Sequence, residues 1–307
     1  SFPEVYFEMV SNNELKIRVN AARNLFEDIN TFNEIRQKAD LEGKGLYRVP
    51  YMKQFIDGTP ANFTGMLLED YSDNPGEKGK ATIDLDKMAA AIETATENNI
   101  SVRLHSCGDR SCREAINAYE NALKKFPETE SRHMVEHLEL VDPNDIPRFG
   151  QLGIICSIQP EHLAAGTMKW EENCYPEKLG PERERYTWPF KQLKDNGAVL
   201  AGGTDCPVVE GNLFWGMYAG NTRKYYDDIP EGGWNPQEKL TMPEMIDMFT
   251  SGAAYAEHRE NELGTLEEGK LADITVVDRN LLELEENPDI RDTKVLLTMV
   301  DGRVVYS

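Results

Sequence analysis

The alternation of short strand-like runs with helical segments is the feature that most constrains the fold of this chain. Six runs are typical of buried strands: Leu15–Asn20, Val49–Ile56, Ser101–His105, His133–His137, Ile154–Ile158 and Ala198–Gly202. Apolar residues at helical spacing predict helices over Leu85–Asn98 and Glu114–Lys125. A proline in the first turn supports a third helix over Asp142–Leu152. Strands that alternate with helices predict βαβ units and a parallel sheet covered by helices.

The end of the chain has a different character. The pair Asp301–Gly302 lies between two Val-rich runs, which is a strong signal for a β-hairpin. We therefore expect residues 263–307 to form a small β unit after an α/β part over residues 1–262. Residues 161–189 show no periodic pattern and are interpreted as a long loop over the face of the sheet.

Composition excludes several classes of function. The chain has 33 Lys+Arg and 54 Asp+Glu, a net charge of −21, which argues against nucleic acid as a partner. No apolar run approaches the roughly 18 residues of a membrane-spanning helix, and no signal-peptide pattern occurs at the start. The five cysteines include no CxxC pair, so reduced thiols in a cytoplasmic protein are expected instead of a disulfide framework or a zinc finger.

Three residues that suit a metal site follow three different strand runs. His105 and His137 each end a run, and Asp205 comes just after another. Because side chains at the carboxyl ends of parallel strands face the active-site mouth, these residues could meet there. Imidazole and carboxylate suit Zn²⁺ and similar ions in a hydrolytic site. Taken singly, each histidine could be structural and Asp205 could stabilise a turn.

Lys53 is a fourth candidate because it lies inside the predicted strand Val49–Ile56, which has no other charged residue. An inward-facing lysine would need a charged partner or a modification, and carbamylation would turn it into a carboxylate that can bridge two metals. The alternative, that Lys53 points outward toward a helix, stays open at this stage.

Several long segments resemble one protein family. They read HSCGDRSCREAINAYE, HMVEHLELVDPNDIPRFGQLGIICSIQPEHL, GGTDCPVVEGNLFWGMYAGNTR, LTMPEMIDMFTSGAAYAEH and GTLEEGKLADITVVD. In this order they resemble the metal-dependent amidohydrolase superfamily and, more narrowly, amidohydrolase family 3, the YtcJ-like hydrolases. The resemblance runs from about Lys53 to Ser307.

The resemblance implies a fold and a chemistry. The fold would be a TIM-type (β/α)8 barrel with a small C-terminal β-sandwich segment, and the reaction would be metal-dependent hydrolysis of a carbon–nitrogen bond other than a peptide bond, in an amide or cyclic amide. Lys53, His105, His137 and Asp205 would be the metal ligands on the fourth, fifth, sixth and eighth barrel strands. Asp205 would also be the catalytic proton acceptor, Lys53 could be carbamylated, and the metal would be one or two ions, most simply Zn²⁺.

The chain departs from the family pattern at its start. The family carries an HxH pair at the end of its first barrel strand, and this sequence contains no HxH. Residues 1–262 are therefore interpreted as barrel strands three to eight, lacking the first two strands, with the β-sandwich segment over residues 263–307. We expect any metal to occupy a site made of Lys53, His105 and His137.

Other residues receive weaker interpretations. His162, in a QPxH segment, and Arg223 are candidate substrate contacts at the mouth of the barrel, and for His162 a role in structuring the loop stays equally open. Asp109 is expected to cap the helix that follows it, and Cys206 to be a small packing residue. His133 and His258 are interpreted as structural, and Phe214–Tyr218 as part of the core.

Two further hypotheses stay open. One is a mononuclear deaminase of the same superfamily, which would use His105, His137 and Asp205 without a carbamate. The other is a truncated, non-catalytic fragment that keeps the fold. In either catalytic case the expected partner is a small-molecule substrate, with no nucleic acid and no membrane, and assembly into a homo-oligomer is left open.

Overall fold

The computed structural model describes residues 2–164 and 168–307. Its main feature is a six-stranded parallel sheet in which each strand pairs with the next one along the chain. The strands are β1 (Val19–Asn24), β2 (Tyr47–Phe55), β3 (Ser101–Ser106), β4 (Met134–His137), β5 (Ile155–Ile158) and β6 (Leu200–Gly202). The parallel α/β sheet predicted from the sequence is thus confirmed.

Helices alternate with these strands. In chain order they are α1 (Pro3–Ser11), α2 (Ile29–Glu42), α3 (Leu85–Glu97), α4 (Asp109–Lys125), α5 (Ile146–Leu152), α6 (Tyr175–Glu184), α7 (Phe190–Asp195), α8 (Leu213–Thr222), α9 (Met242–Asp247) and α10 (Ala253–Ala256). Among the residues described, no helix combines the length and the apolar character that crossing a membrane would require.

The local sequence explains why α3 forms where it does. The carboxylate of Asp84 accepts hydrogen bonds from the backbone N–H groups of Asp86 and Lys87, which satisfies two of the free donors at the helix start. Met88 and Ile92 then face the core at helical spacing. The helix predicted over Leu85–Asn98 is confirmed to within one residue.

The two faces of the sheet carry different cores. One large cluster of buried apolar side chains joins the sheet to the helices. A second, small cluster lies apart from it and contains Tyr51, Met134, Ile155, Ala201 and Ala256. Because Ala256 belongs to α10, this short helix covers the second face of the strands.

Some predicted boundaries were wrong. The first strand was expected at Leu15–Asn20 but runs over Val19–Asn24, because Leu15 is buried in the main core while Ile17 is exposed. The predicted irregular loop 161–189 contains α6, which is kinked at Gly180 in a left-handed conformation. Residues 165–167 of that predicted loop lie outside the described residues.

The C-terminal residues form a separate antiparallel sheet of three strands, β7 (Ile274–Val277), β8 (Val295–Val300) and β9 (Arg303–Tyr306). The hairpin predicted at Asp301–Gly302 joins β8 to β9 and is confirmed. The described residues show this single small sheet, so the predicted β-sandwich segment is confirmed only as a β unit.

An aromatic cluster fills the region between α6 and α8. Trp188 and Trp234 have ring centroids 5.7 Å apart, and Trp170 lies 6.0 Å from Trp234. Tyr175 and Tyr225 pack against the same rings. This cluster anchors the long segment between β5 and β6 to the segment that follows α8.

Candidate functional site

Two histidines meet at the carboxyl ends of neighbouring strands. His105 lies near the end of β3 and His137 is the last residue of β4, and their ring centroids are 4.3 Å apart. His137 has a φ of 77°, in the left-handed region, so the strand ends there and the chain turns. Uncommon backbone angles of this kind are concentrated at functional sites.

The surroundings of His105 leave one of its ring nitrogens free. Its Nε2 lies 3.4 Å from the carbonyl oxygen of Gly58 and 3.4 Å from Sγ of Cys107, whereas its buried Nδ1 has no hydrogen-bond partner in the described part of the chain. Burial, helped by the nearby Lys53, lowers the pKa of His105 to about 4. The ring is therefore neutral at pH 7, and Nδ1 is the nitrogen that could bind a ligand.

His162 and Asp205 complete the group around His137. His162 lies on the short 3-10 turn Pro160–Ala164 after β5, and its ring stacks on that of His137 with centroids 5.7 Å apart. Its Nε2 is 3.7 Å from Oδ2 of Asp205, which follows β6 and has a φ of 61°. With His105, the site thus collects side chains from the ends of four adjacent strands, β3 to β6.

Burial keeps both of these imidazoles uncharged. It lowers the pKa of His137 to about 2, an effect to which the neighbouring His105 and Lys53 add. Burial also lowers the pKa of His162, although the Asp205 carboxylate opposes the shift. Neutral imidazoles can donate a nitrogen lone pair to a metal ion.

Lys53 points into the same region and not outward to a helix. Its Nζ forms an ion pair with Glu136, the residue before His137, and lies 4.8 Å from the centre of the Phe55 ring. Burial and the nearby Arg103 guanidinium lower the pKa of Lys53 to about 8. Glu136 was not identified from the sequence, although its place beside His105 in the sheet register could have suggested it.

Asp57 holds the backbone around His105. Its carboxylate accepts hydrogen bonds from the N–H groups of Met66, Cys107 and Gly108 and from the Ser111 hydroxyl, at 2.7–3.1 Å. Burial raises the pKa of Asp57 to about 6, an effect that these hydrogen bonds oppose, so the group is ionised at pH 7. Asp57 was not identified from the sequence, although it lies in the same KQFIDG segment as Lys53.

A cavity of about 230 Å³ opens beside His137 and Asp205. Its wall includes Glu136, Ser157 and Gln159, and the Gln159 side-chain oxygen is buried without a hydrogen-bond partner among the described residues. A small polar molecule held here would lie next to the imidazoles and the Asp205 carboxylate.

The structure corrects the prediction for Arg223. Its side chain is fully buried, and its guanidinium donates hydrogen bonds to the carbonyl oxygens of Thr187, Trp188 and Trp234. A substrate cannot reach it, because these backbone groups already occupy the guanidinium. Arg223 is a structural residue of the aromatic cluster.

Two smaller predictions were also wrong. Asp109 does not cap its own helix, because Gly108 occupies the N-cap position and Asp109 accepts a hydrogen bond from the Leu68 N–H. Cys206 is exposed and not a packing residue. The structural interpretations hold for His133, which is buried between Thr96 and Val102, and for His258, which contacts Ser101.

Comparison with known proteins identifies the family to which this chain belongs. The model of a family described as the amidohydrolase family matches residues 2–306 of the chain. This chain belongs to the amidohydrolase family. The recognition made from the sequence segments is confirmed, and the ends of β3, β4 and β6 carry the residues that the resemblance singled out.

Two curated proteins are similar to this chain over most of its length. Protein LONG AFTER FAR-RED 3 of Arabidopsis thaliana is 29% identical over 99% of the chain and 51% of its own length. The putative amidohydrolase YtcJ of Bacillus subtilis is 28% identical over 83% of the chain and 46% of its own length. The amidohydrolase chain described here thus spans about half the length of these relatives.

A solved structure supports the fold. An uncharacterized metal-dependent hydrolase from Pyrococcus horikoshii superposes with a TM-score of 0.75 at 23% identity, over 93% of this chain and 55% of the other. Together with the family match and the parallel sheet of β1 to β6, this assigns the amidohydrolase chain to a TIM-type fold.

Proposed function

We propose that this amidohydrolase hydrolyses a carbon–nitrogen bond other than a peptide bond, in an amide or cyclic amide, with water as the nucleophile. The observation that carries the proposal is the convergence of His105, His137, His162 and Asp205 at the carboxyl ends of adjacent parallel strands. The family match supplies the reaction class.

The side chains fit a divalent metal. Nδ1 of His105 is a buried polar atom without a hydrogen-bond partner among the described residues, so this nitrogen is available to bind an ion. A bound divalent ion, for which we propose Zn²⁺, would polarise the scissile carbonyl and lower the pKa of a water molecule. The proposed ligands are Lys53, His105, His137 and Asp205.

Asp205 would transfer the proton during the reaction. Asp205 is partly exposed at the edge of the cavity, where its carboxylate can accept a proton from the attacking water. The same carboxyl group can then return that proton to the leaving nitrogen. The cavity volume of about 230 Å³ suits a small-molecule substrate.

Lys53 separates two versions of this function. A carbamylated Lys53 would be an anionic ligand and would support two metal ions. The ion pair between the Lys53 ammonium and Glu136 instead favours a mononuclear site, as in the deaminase alternative. Cytoplasmic location and assembly into a homo-oligomer stay predictions.

The test is hydrolysis by the purified protein with added Zn²⁺, Mn²⁺ or Co²⁺. A panel of simple amides, N-formyl amines, cyclic amides and aminopurines would be scored for released amine or ammonia. Asp205→Asn should lower the rate by more than about 100-fold, because the proton acceptor is lost. His258→Gln is the matched control, since His258 lies beside Ser101 at the opposite end of β3.

Two results would contradict the proposal. One is an unchanged rate in Asp205→Asn. The other is the absence of hydrolysis across the panel by the metal-supplied wild type. Release of ammonia from aminopurines alone would support the deaminase version.

A further inference from the structure

Two long segments that follow separate strands contact each other. Residues 56–84 follow β2 and residues 168–189 come after β5, while β3 and β4 lie between those two strands in the sheet. To meet, the segments therefore have to pass the ends of β3 and β4, which carry His105 and His137. We name the joined parts of these segments, residues 57–73 and 175–188, the arch.

Arg183 in α6 holds the two parts of the arch together. Its Nη2 donates hydrogen bonds to the carbonyl oxygen of Asp70 at 2.7 Å and to the Ser72 hydroxyl at 3.1 Å. Its Nη1 donates to the carbonyl oxygen of Glu69 at 3.3 Å, and its Nε to that of Leu179 within the helix at 2.9 Å. One guanidinium thus connects three consecutive turns of backbone in the loop to α6.

Lys178, on the same helix, makes a second connection. Only 7% of this residue is exposed, and its Nζ lies 3.5 Å from Oδ2 of Asp73 and 3.3 Å from the centre of the Phe63 ring. Its backbone carbonyl oxygen accepts the Ser72 N–H at 2.8 Å. A buried ammonium is costly without a partner of opposite charge, so the Asp73 carboxylate helps to keep the loop against α6.

One end of the arch is attached to the turn after His105. The Asp57 carboxylate accepts the N–H groups of Cys107 and Gly108 at 3.1 and 3.0 Å. The carbonyl oxygen of Gly58 lies 3.4 Å from Nε2 of His105. A change in the course of this segment would therefore displace the His105 ring or the backbone that carries it.

The other end is attached to the turn after His137. Glu139, two residues further along, accepts a hydrogen bond from the Tyr175 hydroxyl through its carboxylate and one from the Trp188 N–H through its carbonyl oxygen. Tyr175 is the first residue of α6 and Trp188 lies just after its end. The helix that carries Arg183 is therefore fixed to this turn on both sides.

We propose that Arg183 is a positioning residue that fixes His105 and His137 relative to each other by closing the arch. The inference deepens the proposed function and rests on it. Because each histidine turn is bonded to one end of the arch, loss of the Arg183 contact would allow the two rings to move apart. Loops as long as residues 56–84 with so little regular structure are usually functional, and this role gives the loop a function.

The position of Arg183 argues against a direct contact with substrate. The residues described around the cavity of about 230 Å³ belong to β3 to β6, the turns after these strands and the region of α10. None of them belongs to the arch. The effect of Arg183 on the reaction should therefore pass through the two histidines.

Steady-state kinetics of the full chain test this role, with the amide of the panel that the wild type hydrolyses fastest. Arg183→Met should lower kcat by about 10- to 100-fold, because small displacements of reacting groups are costly, while KM should not change. Arg183→Lys should recover part of the loss, since one ammonium can bond one of the carbonyl oxygens. Arg185→Met is the matched control, because Arg185 is exposed and lies over the Tyr186 ring.

Imidazole NMR of the metal-free protein gives a readout that needs no activity. The rings of His105 and His137 are 4.3 Å apart, so their resonances depend on their relative position. Arg183→Met should shift the resonances of both rings and leave those of His258 unchanged. Asp73→Asn, a milder change at the exposed end of the same contact, should shift them in the same way by less, and it serves if Arg183→Met does not fold.

The outcomes separate this inference from the proposed function. Unchanged ring resonances in the folded variants would overturn the inference, and so would a higher KM at constant kcat, which would make Arg183 a substrate contact. Failure of the wild type to hydrolyse any member of the panel would contradict the proposed function, and the ring resonances would still decide whether Arg183 positions the two histidines.

Discussion

Burial keeps the histidines of this protein uncharged, and His133 shows the cause most clearly. Its Nδ1 accepts a hydrogen bond from the Val102 N–H, so the ring proton is on Nε2, 3.1 Å from the Thr96 hydroxyl. Complete burial lowers the pKa of His133 to about 3. Protonation would require breaking the bond to Val102.

His133 should therefore contribute to the loss of folding stability at acidic pH. Between its ordinary pKa of 6.5 and its folded pKa of about 3, the unfolded chain binds a proton that the folded chain does not. The free energy of unfolding should thus be fully retained above pH 6.5 and fall below it, by up to about 1.4 kcal/mol per pH unit for this one group. Urea unfolding from pH 7 to pH 4 in the presence of a chelator measures this.

The comparison variant is His133→Gln. It should be less stable than the wild type at pH 7, yet lose less stability on acidification. An identical pH slope in both proteins would show that His133 does not carry the effect.

Individual site residues were predictable only where their position at the end of a predicted strand determines where they lie in the fold. His105, His137 and Asp205 could be grouped because parallel strands end at the same edge of a sheet. The burial of Arg223 could not be predicted, because its three carbonyl partners come from two other segments of the chain, at Thr187–Trp188 and at Trp234. The Lys53–Glu136 pair similarly depends on the register of β2, β3 and β4.

At the level of elements, the turn after β3 is held by the loop after β2. Asp57 in that loop accepts hydrogen bonds from Cys107 and Gly108, just before α4, and from Met66. Because His105 comes immediately before this turn, Asp57 acts as a positioning residue for the site.

Asp57→Asn should therefore loosen the site and the fold together. The new amide would place N–H groups against backbone N–H donors, and we expect the free energy of unfolding to fall by about 3 kcal/mol. Chemical unfolding measures the loss, and amide exchange at Cys107 and Gly108 should accelerate.

A matched control lies at the start of α3. Asp84 also accepts two backbone N–H groups, but at an exposed N-cap where asparagine is equally preferred. Asp84→Asn should change stability by only a few tenths of a kcal/mol. Equal effects of the two substitutions would argue against a special role for Asp57.

Element boundaries were predictable where apolar periodicity and burial agree, as in α3 and β3. They were not predictable where an apolar residue is buried outside a strand, as Leu15 is before β1. The kinked α6 was missed because its pattern gives no consistent apolar face, and its position depends on contacts such as that of Tyr175 with Trp188.

At the scale of the whole molecule, an ion pair between Arg18 and Asp273 connects the start of β1 to the start of β7 in the small C-terminal sheet. Arg18, just before β1, donates two hydrogen bonds to Asp273, at 2.6 and 2.9 Å. Asp273 also accepts the Asp301 N–H at the turn between β8 and β9. The aspartate of the GKLAD segment is thus a connection between the two sheets.

Breaking this pair should loosen the segment that leads into β7, while the segment after β7 stays held by the buried side chain of Ile290. We expect Asp273→Asn to increase the rate of limited proteolysis between residues 263 and 273, and a double-mutant cycle with Arg18→Met to give a coupling of about 1 kcal/mol. Arg279→Met is the control, because Arg279 pairs with Asp278 within the same unit. Unchanged proteolysis in Asp273→Asn would rule out this connection.

The positions of the tryptophans determine which part of this protein can be monitored by intrinsic fluorescence. The protein has four tryptophans. Three of them, Trp170, Trp188 and Trp234, lie within about 6 Å of a neighbouring indole. The fourth, Trp215, stacks on Tyr226 at 4.8 Å. Tryptophan emission therefore reports on residues 168–234, whereas the strands β1 to β4 that hold Lys53, His105 and His137 contain no tryptophan and do not contribute to it.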